Sequence, residues 1–313
     1  MNVWNGIEAL PADLHAVVAS IGKCDGVHRG HQEILRLAVA EARRQSTRSL
    51  LVSFDPHPTA VVAPERMPRL LQTRRQKLDA LAGTGLSDLL ILAFTRELAA
   101  LDGEAFFFDV LLRRLPLASV YVGENFRFGR DRTGDGDLLE RIGARAGFAV
   151  HRVPPVVVDH TPISSSAIRE AVLAGDVDLA GRMLGRPYAV HGEIVRGASR
   201  GRGIGYPTAN LAVENEIVPR PGVYVTETVV LAARHPSVTN VGVRPTFGAG
   251  GIGVETHLIE FEADLYGERA EVRFLARLRD EMRFSSAGEL SDQIGRDLAA
   301  AVAYFDHRPL TLR

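Results

Sequence analysis

Two hydrophobic patterns divide the chain. In the first part, short unbroken apolar runs alternate with stretches of helical period. Ala16-Val17-Val18-Ala19-Ser20-Ile21 reads as a buried strand, followed by a helix from about His31 to Arg44 whose Ile34, Leu35, Ala38 and Ala42 share one face. Further strands are predicted at Leu50–Phe54, Leu89–Phe94, Ser119–Val122 and Val153–Val158. Continuous apolar strands spaced by helices predict an α/β domain with a parallel sheet covered on both faces. Ligands of such sheets bind beyond the carboxyl ends of the strands. Past Leu184-Gly185-Arg186-Pro187 the chain changes to short strands between Gly and Pro turns, at Ala189–Val195, Gly222–Thr228, Ser237–Val241, Val254–Glu260 and Ala270–Leu278. This spacing predicts a small antiparallel β-barrel. A last helix is expected from about Ser286 to Tyr304, with Leu290, Ile294, Leu298 and Val302 on its apolar side. The boundary is placed at 186, giving domains 1–186 and 187–313.

Composition narrows the classes. A net charge of −1 argues against a general nucleic-acid binder, so any phosphate site is local. No apolar run approaches membrane-spanning length, and Met1-Asn2-Val3-Trp4-Asn5 lacks a basic start, so a cytoplasmic protein with no membrane partner is expected. The single cysteine, Cys24, excludes an intrachain disulfide framework and a cysteine zinc cluster. Of the 37 basic residues only Lys23 and Lys77 are lysines. Lys23 stands beside a candidate motif.

Gly192 to Asn210 is the most informative stretch. It begins as a strand, becomes a loop carrying Gly197, Arg200, Gly201, Gly203 and Gly205, and ends in Pro207-Thr208-Ala209-Asn210. Glycines let backbone N–H groups converge on an anion, and arginines add fixed charge. The Thr208 hydroxyl and Asn210 amide oxygen are hard ligands suited to Mg²⁺. The stretch can therefore hold a nucleotide polyphosphate; the competing reading is a flexible basic loop and a turn.

This stretch resembles the riboflavin kinase signature. Asp25-Gly26-Val27-His28-Arg29-Gly30-His31 resembles the FMN adenylyltransferase half of the same bifunctional enzymes, and the resemblance runs from about residue 16 to 305. It implies a nucleotidylyltransferase-like domain followed by the barrel, with ATP, riboflavin and FMN as substrates. His28 and His31 would donate to ATP phosphates at a helix N-terminus as charge develops at the transferring phosphorus. Asp25 and Gly26 belong to the same nucleotide-binding motif. The competing readings are metal ligation by Asp25, His28 and His31, or a structural turn. Ser53-Phe54-Asp55-Pro56-His57-Pro58 also matches the family. So does Val122 to Arg130, in which Asn125 would anchor the nucleotide and Phe126 and Phe128 wall a flavin ring. Core packing is the alternative for each phenylalanine. In Ile163-Ser164-Ser165-Ser166-Ala167-Ile168-Arg169, the resemblance has Ser164, Ser165 and Arg169 hold the β- and γ-phosphates. In the barrel, Gly197–Gly205 would cover the phosphates, Thr208 and Asn210 would ligate Mg²⁺, and Glu255 in Val254-Glu255-Thr256-His257 would be the general base.

One departure concerns the first motif. The family usually has Phe before the Asp, often preceded by Asn; this chain has Lys23-Cys24. Lys23 is able to reach ATP phosphates, whereas loss of the aromatic loosens packing. Two further readings therefore stand beside the bifunctional one. One is a riboflavin kinase with an impaired or redirected N-terminal domain, the other a flavin-binding regulator without turnover. Oligomeric state is not legible.

Overall fold

The computed structural model describes residues 1–196, 205–243 and 252–307. The chain divides into two compact units, Met1–Ser164 and Ser165–Arg313.

The first unit contains strands β1 (Asn2–Asn5), β2 (Val17–Ile21), β3 (Arg48–Asp55), β4 (Asp88–Ala93), β5 (Leu117–Gly123) and β6 (Ala149–Val153). They form one sheet in the order β1-β4-β3-β2-β5-β6, and every neighbouring pair is parallel. Helices α1 (Arg29–Arg44), α2 (Pro58–Val62), α3 (Arg74–Ala82), α4 (Arg96–Ala100), α5 (Gly103–Ala105) and α6 (Gly136–Ala146) connect them. A π-helical turn, Phe106–Leu111, continues α5. β2 is buried throughout and lies at the centre, so the order reverses between β2 and β5. That reversal opens a crevice beyond the strand ends, which is where sheets of this kind take ligands.

Both faces of the sheet are covered, as continuous apolar strands require. On one face Val17, Ala19, Leu50, Val52 and Leu90 pack with Phe106, Phe107 and Leu139. On the other, Leu35 and Val39 of α1 meet Leu51, Leu81 and Leu89. Helix starts follow local chemistry. The Thr73 hydroxyl accepts from Gln76 N at 3.2 Å while Gln76 Oε1 accepts from Thr73 N at 2.9 Å, a reciprocal cap for α3.

Two sequence expectations are corrected here. The strand expected at Val153–Val158 runs instead over Ala149–Val153. Pro154 and Pro155 stop it, since proline donates nothing to a ladder. Val157–Val158 forms only a two-residue hairpin with Thr161–Pro162 (β7 and β8). The unexpected edge strand β1 lacks an apolar pattern. It is pinned by the buried carboxylate of Asp88, which accepts from Asn2 Nδ2 at 3.0 Å, Trp4 Nε1 at 2.9 Å and Arg48 Nε at 2.6 Å.

The second unit starts with α7 (Ser165–Ala174) and α8 (Val177–Leu184). Then come β9 (Tyr188–Val195), β10 (Ala209–Val213), β11 (Gly222–Val230), β12 (Ala233–Val243), β13 (Ile252–Leu258), β14 (Arg269–Arg279) and α9 (Ala287–His307). The six strands close a barrel in the order β10-β13-β12-β11-β14-β9, every pair antiparallel, with β9 joined to β10. Its interior mixes Tyr224, Phe274 and Val254 with a fully buried hydroxyl network: Thr226 reaches Ser237 at 2.9 Å and Thr239 at 2.7 Å, and Thr239 donates to Thr256 at 2.9 Å. Each hydroxyl has a partner, so the polar interior carries no desolvation debt. α9 packs on β11 and β12 with Leu298 and Ala301 against Val223, Val225 and Val238. Val302, expected on that face, is 43% exposed. A spacing of four overshoots the helical turn, so the stripe drifts around to Ala301 and Phe305.

The barrel carries an acid-sensitive element. Glu271 accepts from Arg273 Nε at 2.9 Å and lies 3.5 Å from His191 Nε2. Burial would raise its carboxyl, but hydrogen bonds from His191 and Arg273 and their charges win and hold it down at about 2. A carboxyl depressed on folding stabilises the fold above the unfolded value and loses that contribution as pH falls through the folded one. Roughly 3 kcal/mol should therefore be lost between about pH 4.5 and pH 2. Urea unfolding followed by circular dichroism checks this, and the Glu271→Gln variant should lack that part of the acid dependence.

Candidate nucleotide sites

The first site is built where β2 ends and α1 begins. Gly22 to Val27 turn sharply, with φ of 50° at Cys24, 87° at Gly26 and 39° at Val27. Two non-glycine residues in the left-handed region mark a backbone held by its surroundings. The restraints are visible. Leu71 N donates to Asp25 Oδ1 at 3.0 Å, Gln32 Nε2 donates to Val27 O at 2.7 Å, and Lys77 Nζ donates to Lys23 O at 2.7 Å.

The loop delivers His28 as the N-cap of α1, its Nδ1 accepting from His31 N at 3.4 Å. With Nδ1 accepting, the neutral ring carries its proton on Nε2. The two imidazoles stack at 3.6 Å between centroids. A side chain at Gly30 would stand 3.2 Å from the His28 ring, so glycine leaves room for it. Burial, with the charges of His28, Lys77 and Lys23, pushes His31 well below the ordinary imidazole value. His31 is therefore neutral at physiological pH, and its Nδ1 is buried without a hydrogen-bond partner. The metal reading of Asp25, His28 and His31 gains nothing: no group of three His, Cys, Asp or Glu suited to a metal occurs among the described residues.

Beside this loop lies a pocket of about 120 Å³, bordered by Lys23, Asp25, Asp55, Gln72, Arg74 and Lys77. Lys23 is exposed. Cys24 is not part of the lining; it is 4% exposed and packs with Val27, Leu35 and Leu89, and burial pushes its thiol up to about 11. Asn125 is exposed on the turn after β5, across the reversal from His28. Phe128 is 8% exposed and packs edge-on against Phe107, whereas Phe126, stacked on it at 5.3 Å, is more accessible. Ser164 closes the first unit, while Ser165 and Arg169 belong to α7 of the second.

The second site lies on the barrel's outer face. Asn210 on β10 pairs in register with Glu255 on β13, which pairs with Asn240 on β12. Residues directly opposite share a face. Val254 and Thr256 point into the barrel, so Glu255 and the two asparagines point out. Asn210 is 4% exposed and Glu255 is half-buried. Thr208, two residues before Asn210, is half-buried. A ring nitrogen of His257, Nδ1, is 2.7 Å from Pro207 O, and Tyr206 meets that ring edge-on at 5.9 Å. Gly205 has φ 87°. Gly197, Arg200, Gly201 and Gly203 lie outside the described residues.

Sequence reasoning passed over Asn240, His257 and Lys77. His257 lies inside the Val254–His257 motif, but only the fold brings it to Pro207, and only strand register sets Asn240 beside Glu255. The rarity of lysine was the signal available for Lys77.

Comparisons with known proteins cover both parts of the chain. The FAD synthetase family model matches residues 10–167, and the riboflavin kinase model matches residues 184–305. The bifunctional riboflavin kinase/FMN adenylyltransferase of Pseudomonas fluorescens is 39% identical over 304 residues, 97% of each chain. That of Escherichia coli K12 is 36% identical over 307 residues, 97% of this chain and 98% of the relative. Among solved structures, one described as a macrolide-efflux protein from Streptococcus pneumoniae superposes with a TM-score of 0.88 at 29% identity, over 96% of this chain and 99% of that one. No described helix here is long and apolar enough to cross a membrane. Both halves are thus matched in the order in which the two sites occur, and the chain belongs to the bifunctional riboflavin kinase/FMN adenylyltransferase family, making FMN from riboflavin and FAD from FMN.

Proposed function

We propose that each activity has its own site: FMN adenylylation at the His28–His31 loop, riboflavin phosphorylation on the Asn210–Glu255 face. In the first, an FMN phosphate oxygen attacks the α-phosphorus of ATP, and pyrophosphate leaves with the electrons of the broken P–O bond. The nucleophile is already ionised, so positioning and charge stabilisation carry the step. His28 donates through Nε2, and the N-terminal N–H groups of α1 face the same charge. Asp25 and Gly26 set the loop's path, and Asn125 reads the nucleotide from the far side of the crevice. The stacked histidine pair at the topological reversal is the observation that carries this reading. Placement of Cys24 in the core supports an adenylylation site undamaged by the missing aromatic, because the thiol is buried among Val27, Leu35 and Leu89.

In the second, Glu255 takes the proton of the riboflavin 5′-hydroxyl as that oxygen attacks the γ-phosphorus of ATP, and ADP leaves. Thr208 and Asn210 offer neutral oxygens beside the Glu255 carboxylate, a set that fits Mg²⁺ completed by phosphate oxygens. When bound, Mg²⁺ neutralises phosphate charge. Gly197 to Gly205 would lie over the phosphates. We assign the activities to 1–186 and 187–313, and the enzyme to the cytoplasm, where both flavins and ATP are at hand.

Incubation with riboflavin and MgATP, with flavins separated over time, tests the whole reading: FMN should appear first and FAD after it. Lys23, exposed on the same loop, is our candidate for a contact with the ATP phosphates. Lys23→Ala should raise the ATP constant of adenylylation about 10- to 100-fold, one charged hydrogen bond's worth, and leave that of the kinase unchanged. An unchanged adenylylation constant would remove Lys23 from the phosphate site.

A further inference from the structure

Arginine fills nearly every basic position of this chain, yet both of its lysines come together at one loop. Lys77, on α3, donates from a single nitrogen to Lys23 O at 2.7 Å and to Ser53 Oγ at 2.9 Å. The Ser53 hydroxyl is fully buried and itself reaches Lys23 O at 3.5 Å. The carbonyl they hold immediately precedes Cys24, where the left-handed turn starts, and the turn ends at His28. Lys77 thus ties α3 and β3 to the strained backbone that aims the histidine pair.

We infer that Lys77 is a positioning residue for adenylyl transfer, fixing through the Lys23 carbonyl the loop that presents His28 and His31. The inference rests on the first motif being the adenylylation site. Three features support it. Taking an ammonium partly out of water is costly, and an apolar residue would serve mere packing beside Leu78 and Leu81 better. Left-handed φ at Cys24 and Val27 persists only under restraint, and Lys77 supplies the restraint at the loop's entry. Both bonds start from one compact nitrogen; a guanidinium is bulkier and extends further, so arginine would have to displace its surroundings to make the same pair. That accounts for lysine at 77 in an arginine-rich chain.

The test is steady-state FAD formation from FMN by full-length Lys77→Met, Lys77→Arg and Lys77→Cys, the last before and after aminoethylation of its thiol, which restores an ammonium at nearly the same reach. The buried Cys24 thiol, pushed up to about 11, stays unmodified at mildly alkaline pH. Met and Arg should each lower kcat about 100-fold or more, the loss of two charged hydrogen bonds, with ATP and FMN constants held and riboflavin phosphorylation unchanged. Aminoethylation should recover most of kcat in the Cys variant. Wild-type kcat in Lys77→Met or Lys77→Arg overturns the inference, as does a loss that resides in the KM values. If Lys77→Met unfolds early in a thermal scan, the aminoethylated protein decides: recovered melting without recovered kcat also overturns it. His28→Ala separates the two levels. If it still makes FAD, the site reading falls; if it is inactive while the Lys77 variants are normal, only the inference falls.

Discussion

Glu255→Gln is expected to abolish FMN formation, by about 10³-fold, while FAD formation from supplied FMN continues at the wild-type rate. The substitution keeps the size of the side chain and its acceptor oxygen but removes the charge that accepts a proton. An alcohol is a poor nucleophile until its proton has somewhere to go, so the loss falls on kcat rather than on riboflavin affinity. The neighbours sharpen the expectation. Asn210 and Asn240 flank Glu255 in register on the outer face, and neither takes a proton. No other carboxylate stands opposite Glu255 on those strands to act in its place. Steady-state rates of the two half-reactions in one preparation check this, since the second serves as a control for folding.

The complementary result is expected of His28→Ala: FAD formation should fall about 10²- to 10³-fold, the effect of removing an electrostatic donor, and FMN should accumulate from riboflavin at the normal rate. Here the change also removes the cap of α1, because His28 Nδ1 accepts from His31 N. Loss of a cap costs about 1 kcal/mol, too little to unfold a unit whose core continues over both faces of the sheet. His28→Asn separates the two effects. Asparagine restores a capping oxygen and should recover stability without recovering rate. If His28→Asn recovers the rate as well, capping and not phosphate contact is the role of His28.

Most of the architecture was legible because burial dictates it. β2 to β5 are apolar runs, and their burial on both faces makes the pattern continuous; the barrel strands alternate, and turns of Gly and Pro separate them. What escaped lacks such a signature. β1 carries Asn2 and Asn5, and hydrogen bonds from Asn2 and Trp4 to the buried Asp88 help hold it while Trp4 packs against the core. β10 is five residues long and opens inside the Pro207–Asn210 motif, where ligand chemistry masked a strand. The candidate sites divide in the same way. His28 and His31 stand three apart at a strand-to-helix junction, which local reasoning finds. The face shared by Asn210, Glu255 and Asn240 exists only through the register of three strands, and the Lys77 bond to Lys23 O spans 54 residues. Fourfold spacing likewise put Val302 on the buried side of α9, where helical drift exposes it.

The most direct measurement mixes the two single variants. Glu255→Gln and His28→Ala, each incubated alone with riboflavin and MgATP, should yield no flavin product and FMN alone, respectively. Combined in one vessel they should make FAD, because FMN released by one protein is adenylylated by the other. FAD in the mixture establishes two independent sites on one chain. A mixture that makes FMN but no FAD, even when FMN is supplied directly, would contradict that account.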